Sequence, residues 1–140
     1  MSLLTPKRWK YRKQMRSRIT GAATRGNQVA FGEYGIKATT SSYVTNRQLE
    51  AARKVIVRHT RKVGKMWLRV FPDVPQTKKG LEMPMGTGKG DVHIYTARIK
   101  KGAVIFEVSG LDEKVAREAF RSAGFKLPMK TKFIEKGQVN

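Results

Sequence analysis

The run Gly86-Thr87-Gly88-Lys89-Gly90 is the stretch of this 140-residue chain whose residue types most clearly invite chemistry. Glycines remove side-chain bulk and leave backbone N–H groups free to approach a phosphate. Two nucleotide-binding patterns can be tested on it, and both fail. A P-loop needs glycine at position 83 and serine or threonine at position 90, where this chain has Met83 and Gly90. A dinucleotide fingerprint needs a helix after its glycines, whereas the residues from Val92 onward alternate as a strand. What remains is a loop whose backbone can come close to phosphate. Lys78, Lys79 and Lys89 add charge to it, and Glu82 and Asp91 offset part of that charge.

Catalytic and metal chemistry find no constellation. The chain has no cysteine, so thiol nucleophiles, Cys-ligated zinc and disulfides are excluded. His59 falls at the edge of a predicted helix face and His93 on a predicted strand, with no third ligand suggested. The ten acidic residues are scattered, and Asp112 and Glu113 suit a helix N-terminus for structural reasons. The expectation is no enzyme, no cofactor and no metal.

Charge is the outlying quantity. Thirty Lys and Arg against ten Asp and Glu give a net charge of +20, which favours a polyanionic partner, nucleic acid first. Residues 1–32 hold eight basic residues and no acid. Lys7, Arg8, Lys10, Arg12, Lys13, Arg16 and Arg18 follow one another with Trp9 and Tyr11 interleaved, and Arg25 comes after them. This stretch lacks apolar periodicity, which predicts an arm (residues 1–25) that supplies charge and little core, its aromatics available for stacking on bases or sugars. The longest apolar run, Ala103-Val104-Ile105-Phe106, is far short of the roughly 20 residues that a membrane-spanning helix needs.

The elements that would position these groups follow from periodicity. Gln28–Gly32 and Gly35–Ala38 read as a short strand pair, and 39–42 as loop. Thr45 and Gln48 have capping-box spacing, opening a helix with Leu49, Ala52, Ile56 and Val63 on one face. Arg47, Lys54, Arg58 and Arg61 line the other, and Gly64 is placed as the C-cap. Lys65–Phe71 alternates as a strand stopped by Pro72. Residues 72–91 read as one long loop. Val92–Ile99 and Ala103–Val108 read as a hairpin across Lys100-Lys101-Gly102. Asp112 opens a second helix burying Val115, Ala116, Ala119, Phe120 and Ala123, with an i,i+4 pair between Glu113 and Arg117 and Gly124 at its end. A last strand runs near Lys130–Ile134. The order predicts one α+β domain over 1–140, with two amphipathic helices packed on a mixed, mostly antiparallel sheet.

Several of these segments, taken together and in order, resemble the L-sixteen family of bacterial and organellar large-subunit ribosomal proteins. They are Pro6-Lys7-Arg8 with Lys10, Tyr11, Arg12 and Lys13; Val29-Ala30-Phe31-Gly32; Arg47-Gln48-Leu49-Glu50-Ala51-Ala52-Arg53; Trp67-Leu68-Arg69-Val70-Phe71-Pro72-Asp73; Met85-Gly86-Thr87-Gly88-Lys89-Gly90; Ala116-Arg117-Glu118-Ala119-Phe120; and Lys126-Leu127-Pro128. The resemblance is nearly full length. It implies a structural constituent of the large subunit of a bacterial cytoplasmic or an organellar ribosome. Such a protein binds 23S-class rRNA, sits beside other large-subunit proteins as a monomer within the ribosome, helps shape the aminoacyl-tRNA site and joins late in assembly. It further implies rRNA contacts at Lys7, Arg8, Lys10, Arg12 and Lys13, and a loop at Gly86, Gly88, Lys89 and Gly90 that reaches toward tRNA. Pro84 stands where the family often has arginine, and Thr87 where it often has lysine or serine, so no role of that arginine is carried over.

The combined expectation assigns rRNA binding to Lys7, Arg8, Lys10, Arg12, Lys13, Arg16, Arg18, Arg25, Arg47, Lys54, Arg58 and Arg61. It assigns proximity to tRNA to Met85, Gly86, Thr87, Gly88, Lys89 and Gly90. The alternative from another class is a free-standing basic RNA-binding regulator or RNA chaperone.

Overall fold

The computed structural model describes residues 4–61 and 63–138. The chain order is β1 (Tyr34–Ala38), β2 (Ser42–Thr45), α1 (Asn46–Thr60), β3 (Lys65–Leu68), β4 (Val74–Lys78), β5 (Asp91–Ile99), β6 (Val104–Ser109), α2 (Glu113–Gly124) and β7 (Thr131–Glu135). The fold is α+β, as expected, with two helices on antiparallel strands. The strands divide between two sheets, β3-β6-β1-β7 and β2-β5-β4. The two helices pack on each other; α1 also touches β2, β3 and β5, and α2 touches β1 and β7. Ile36, Val44, Leu49, Ala52, Ile56, Ile99, Phe106, Val108, Ala116 and Phe120 form the principal core.

The capping box predicted for α1 is present. Gln48 N–H donates to Thr45 Oγ1 at 3.2 Å, and Thr45 N–H donates to Gln48 Oε1 at 3.0 Å. The far end of α1 differs from the prediction. The helix stops at Thr60, and Arg61 caps it with φ +44. Val63 therefore leaves the helix and is exposed rather than buried. Gly64 is demanded by close approach instead of capping: a Cβ there would fall 2.6 Å from the Ser109 carbonyl oxygen. In α2 the Asp112 side chain makes no capping hydrogen bond, and Val115 is only half-buried. Gly124 remains inside that helix and Phe125 caps it in a right-handed conformation.

Five strand expectations are corrected. Gln28–Gly32 does not pair with β1, because its N–H groups are committed elsewhere, as described below. Ser42 belongs to β2, drawn into the sheet opposite Ile99. The strand after Gly64 ends at Leu68, not Phe71. The predicted hairpin between β5 and β6 does not exist: the chain turns at Lys100–Ala103, where Ala103 N–H donates to Lys100 O at 3.1 Å, and passes from one sheet to the other. The last strand begins one residue later than expected.

The predicted long loop over 72–91 is also shorter, because β4 lies within it. Pro75 hid this strand from periodicity. It is tolerated because β4 is an edge strand, paired on one side only with β5, where proline can be accommodated. The true loop is 79–90, held at its base by β4 and β5.

Candidate nucleic-acid interface

The arm is extended but not free. Residues 4–33 form no regular element, yet residues 9–18 lie against the three-stranded sheet. Trp9 packs on Tyr95 with ring centroids 6.2 Å apart, and the Arg16 guanidinium sits 5.5 Å from the Tyr43 ring. The Tyr43 hydroxyl donates to the Ser17 carbonyl, Arg98 donates to the Arg18 carbonyl at 3.4 Å, and Ala23 N–H donates to Lys101 O at 2.9 Å. Leu4 packs against the principal core, so the arm contributes more to packing than its sequence suggests. Residues 1–3 of the arm lie outside the described residues.

The predicted cations stay accessible. Lys7, Arg8, Lys10, Arg12, Arg16, Arg18 and Arg25 are exposed and Lys13 is half-buried. Arg47, Lys54 and Arg58 are exposed along α1, and Arg61 is exposed at its cap rather than on its face. Among the described residues, ion pairs join Arg53 to Glu50, Arg69 to Glu107, and Arg117 to Glu113 and Glu135. None of the twelve predicted RNA-binding cations takes part. Negative charge gathers elsewhere: burial first, then Glu113, Glu135, Glu33 and Asp112, pushes the Tyr34 phenol up.

The structure brings the arm and the glycine loop together. Lys13 Nζ donates to the Lys89 carbonyl at 3.2 Å, and Lys89 Nζ donates to the Gln14 carbonyl at 2.5 Å. Within the loop, Lys79 Nζ donates to the Gly86 carbonyl. Met85, Gly86, Thr87, Gly88 and Lys89 are exposed and Gly90 is half-buried. Gly86, Thr87 and Gly88 have φ of +119, +61 and +94. No atom crowds either glycine, so glycine is required there by backbone conformation and not by space. No hydrogen bond or ring contact joins the Arg47, Lys54 and Arg58 row to the arm or to the loop among the described residues.

The Lys13–Lys89 exchange tethers two otherwise loosely held segments. Lys89→Met is expected to raise chymotryptic cleavage at Tyr11 several-fold while leaving the melting temperature nearly unchanged. Unaltered cleavage would show that other contacts hold the arm.

One positioning group was missed in the sequence. Glu107, in the apolar strand β6, is fully buried. It accepts the N–H groups of Ala30 at 3.0 Å, Phe31 at 2.7 Å and Gly32 at 2.8 Å. It also pairs with Arg69, which donates to the Gln28 carbonyl at 3.2 Å. Burial alone would raise the Glu107 carboxyl; the N–H groups of Ala30, Gly32 and Phe31, and then Arg69, outweigh it and hold the group below the usual carboxylate range. Val29 packs beneath the same segment on Val104 and Ile134. This clamp ties the root of the arm to the outer face of the four-stranded sheet. The signal for it was an acid inside Val104-Ile105-Phe106-Glu107-Val108, a position where an ionised group needs partners.

Comparison with known proteins agrees with this architecture. The family described as "Ribosomal protein L16p/L10e" matches residues 6–134. The "Large ribosomal subunit protein uL16" of Halorhodospira halophila is 54% identical over 134 residues, covering 96% of this chain and 98% of the relative. The proteins of the same name from Staphylococcus haemolyticus and Macrococcus caseolyticus are 50% and 49% identical over 137 residues, each covering 98% of this chain and 95% of the relative. With a match that runs through the arm, both helices, the glycine loop and the last strand, the chain belongs to the ribosomal protein L16p/L10e family.

Proposed function

We propose that the chain is a non-enzymatic structural constituent of the large ribosomal subunit that binds 23S-class rRNA and neighbouring large-subunit proteins. The observation that carries this reading is the set of twelve exposed or half-exposed cations on the arm and α1 that form no ion pair among the described residues. Cations not neutralised by internal carboxylates replace condensed counterions on a phosphate backbone, so the interaction is electrostatic and salt-dependent. Family membership selects the ribosome over a free-standing regulator or RNA chaperone.

The glycine loop is the finer part of the proposal. Its base is fixed by β4 and β5, its tip is exposed, and Gly86, Thr87 and Gly88 have successive positive φ values with no side-chain bulk at the two glycines. We assign this tip to the neighbourhood of the aminoacyl-tRNA site, with the protein joining the subunit late in assembly as one monomer. Pro84 and Thr87 lower the loop's charge relative to the family pattern, so its contact there relies on backbone groups and on Lys89.

Sucrose-gradient sedimentation of a lysate from the source cells provides the test. The protein is expected to travel with the large subunit at low salt. Recovery only in the free-protein fractions would overturn the ribosomal assignment in favour of a free-standing RNA-binding role.

A further inference from the structure

Phe31 is an exposed aromatic held in a rigid setting. It is 61% exposed, yet its N–H is fixed by the buried Glu107 carboxylate. Its ring stacks on Trp67 with centroids 6.3 Å apart and planes 22° from parallel, and the Arg69 guanidinium lies 5.1 Å from the ring centre. Lys65 stands two residues before Trp67 on the edge strand β3, and is exposed. Gly26, next to the exposed Arg25, approaches the same Arg69 guanidinium. The acid in this cluster, Glu107, is buried and already partnered.

The geometry points to a nucleobase-stacking site at Phe31, Trp67 and Arg69, which takes an unpaired base of an RNA strand while Lys65 and Arg25 hold its flanking phosphates. Stacked aromatic faces beside arginine, in cationic surroundings, suit splayed-out bases and offer nothing to a closed duplex, whose bases are already stacked. The charge of the surroundings selects RNA over an apolar protein segment. Exposure that would otherwise be unfavourable is maintained by the clamp beneath it, so the platform exists before any ligand arrives. This inference rests on the RNA-binding reading above and adds a second contact surface, with its own ligand preference, on the outer face of the four-stranded sheet.

The test uses the full chain in a Trp9→Phe background, which leaves Trp67 as the sole indole. The probes are a short oligo(A) RNA and a blunt RNA duplex of the same length. Oligo(A) is expected to quench Trp67 fluorescence and the duplex to leave it unchanged. Phe31→Ala is expected to weaken oligo(A) binding by about 5- to 150-fold, the range that corresponds to removing one base–aromatic stack. Phe31→Leu, which keeps apolar contact with Trp67, is expected to weaken it as much, and Phe31→Tyr to retain binding. Duplex affinity should stay the same throughout. Equal effects of Phe31→Ala on both RNAs, or on neither, would overturn the stacking site while leaving the RNA-binding reading intact. Failure of both RNAs to bind at low salt would overturn both.

Discussion

Glu107→Ala is expected to destabilise the protein by about 3–5 kcal/mol, the usual effect of removing one partner of a buried ion pair. The substitution strands the N–H groups of Ala30, Phe31 and Gly32 and leaves Arg69 unpaired at the edge of the sheet. Against a total stability of about 5–15 kcal/mol for an ordinary domain, such a loss is severe. It corresponds to a fall in melting temperature of about 10–20 °C for a chain of this size. Glu107→Gln keeps the shape and some acceptor capacity, and should lose less. Amide exchange should accelerate first over residues 28–33, the segment that the carboxylate holds. A loss below about 1 kcal/mol would place the pair with ordinary surface ion pairs and refute the clamp.

The same group gives the pH dependence a sign. Because its partners hold the folded carboxyl below the usual range, Glu107 binds fewer protons when folded than when unfolded. Its contribution is fully present above the unfolded value of about 4.3 and is lost as pH falls through the lower folded value. Acid melts of the native protein should therefore steepen below about pH 4, and Glu107→Gln should flatten that limb.

The second large effect concerns RNA. Exchanging Lys7, Arg8, Lys10 and Arg12 for glutamine should flatten the slope of log affinity against log salt by about three to four, at roughly 0.9 for each phosphate no longer neutralised. Near 0.1 M salt that amounts to a fall of about 10³–10⁴-fold in affinity for rRNA fragments. Exchange of these side chains tests charge alone. Truncation of the arm would also remove Leu4 from the core and so confound charge with packing. The four side chains are exposed and make no ion pair among the described residues, so thermal stability should hold. An unchanged salt slope would mean that the arm is not the anchoring element.

Two local signals in the sequence, the cap that opens α1 and the ion pair on α2, carried through to the structure. The α1 capping box needs only Thr45 and Gln48, three residues apart, and it formed as read. The Glu113–Arg117 pair did too, at 2.7 Å. The strand failures are matters of long-range pairing, whereas at the helix ends Gly64, Asp112 and Gly124 did not take the capping roles expected of them. Val92–Ile99 and Ala103–Val108 alternate like the arms of a hairpin, and nothing local states that their partners lie in different sheets. Gln28–Gly32 alternates like a strand, but its hydrogen bonds go to a carboxylate more than 70 residues away. Pro75 disguised β4 because proline's cost depends on which side of the strand has a neighbour. For the site, the clustered cations of the arm were legible from composition. Its docking along β5, the Lys13–Lys89 exchange and the stack of Phe31 on Trp67 were not, since each joins residues far apart in the chain.

The sequence distance across the clamp also sets an order of events during synthesis. Gly32 and Glu107 are 75 residues apart, and at about 5–20 residues per second Glu107 is made roughly 4–15 s after Gly32. For that interval the acid-free segment exists without the carboxylate that will hold it. Strand β1 waits as well, because its neighbours β6 and β7 are among the last elements translated. The nascent chain thus presents this cationic stretch before the group that clamps it exists, and locks it to the domain only once Glu107 has been made.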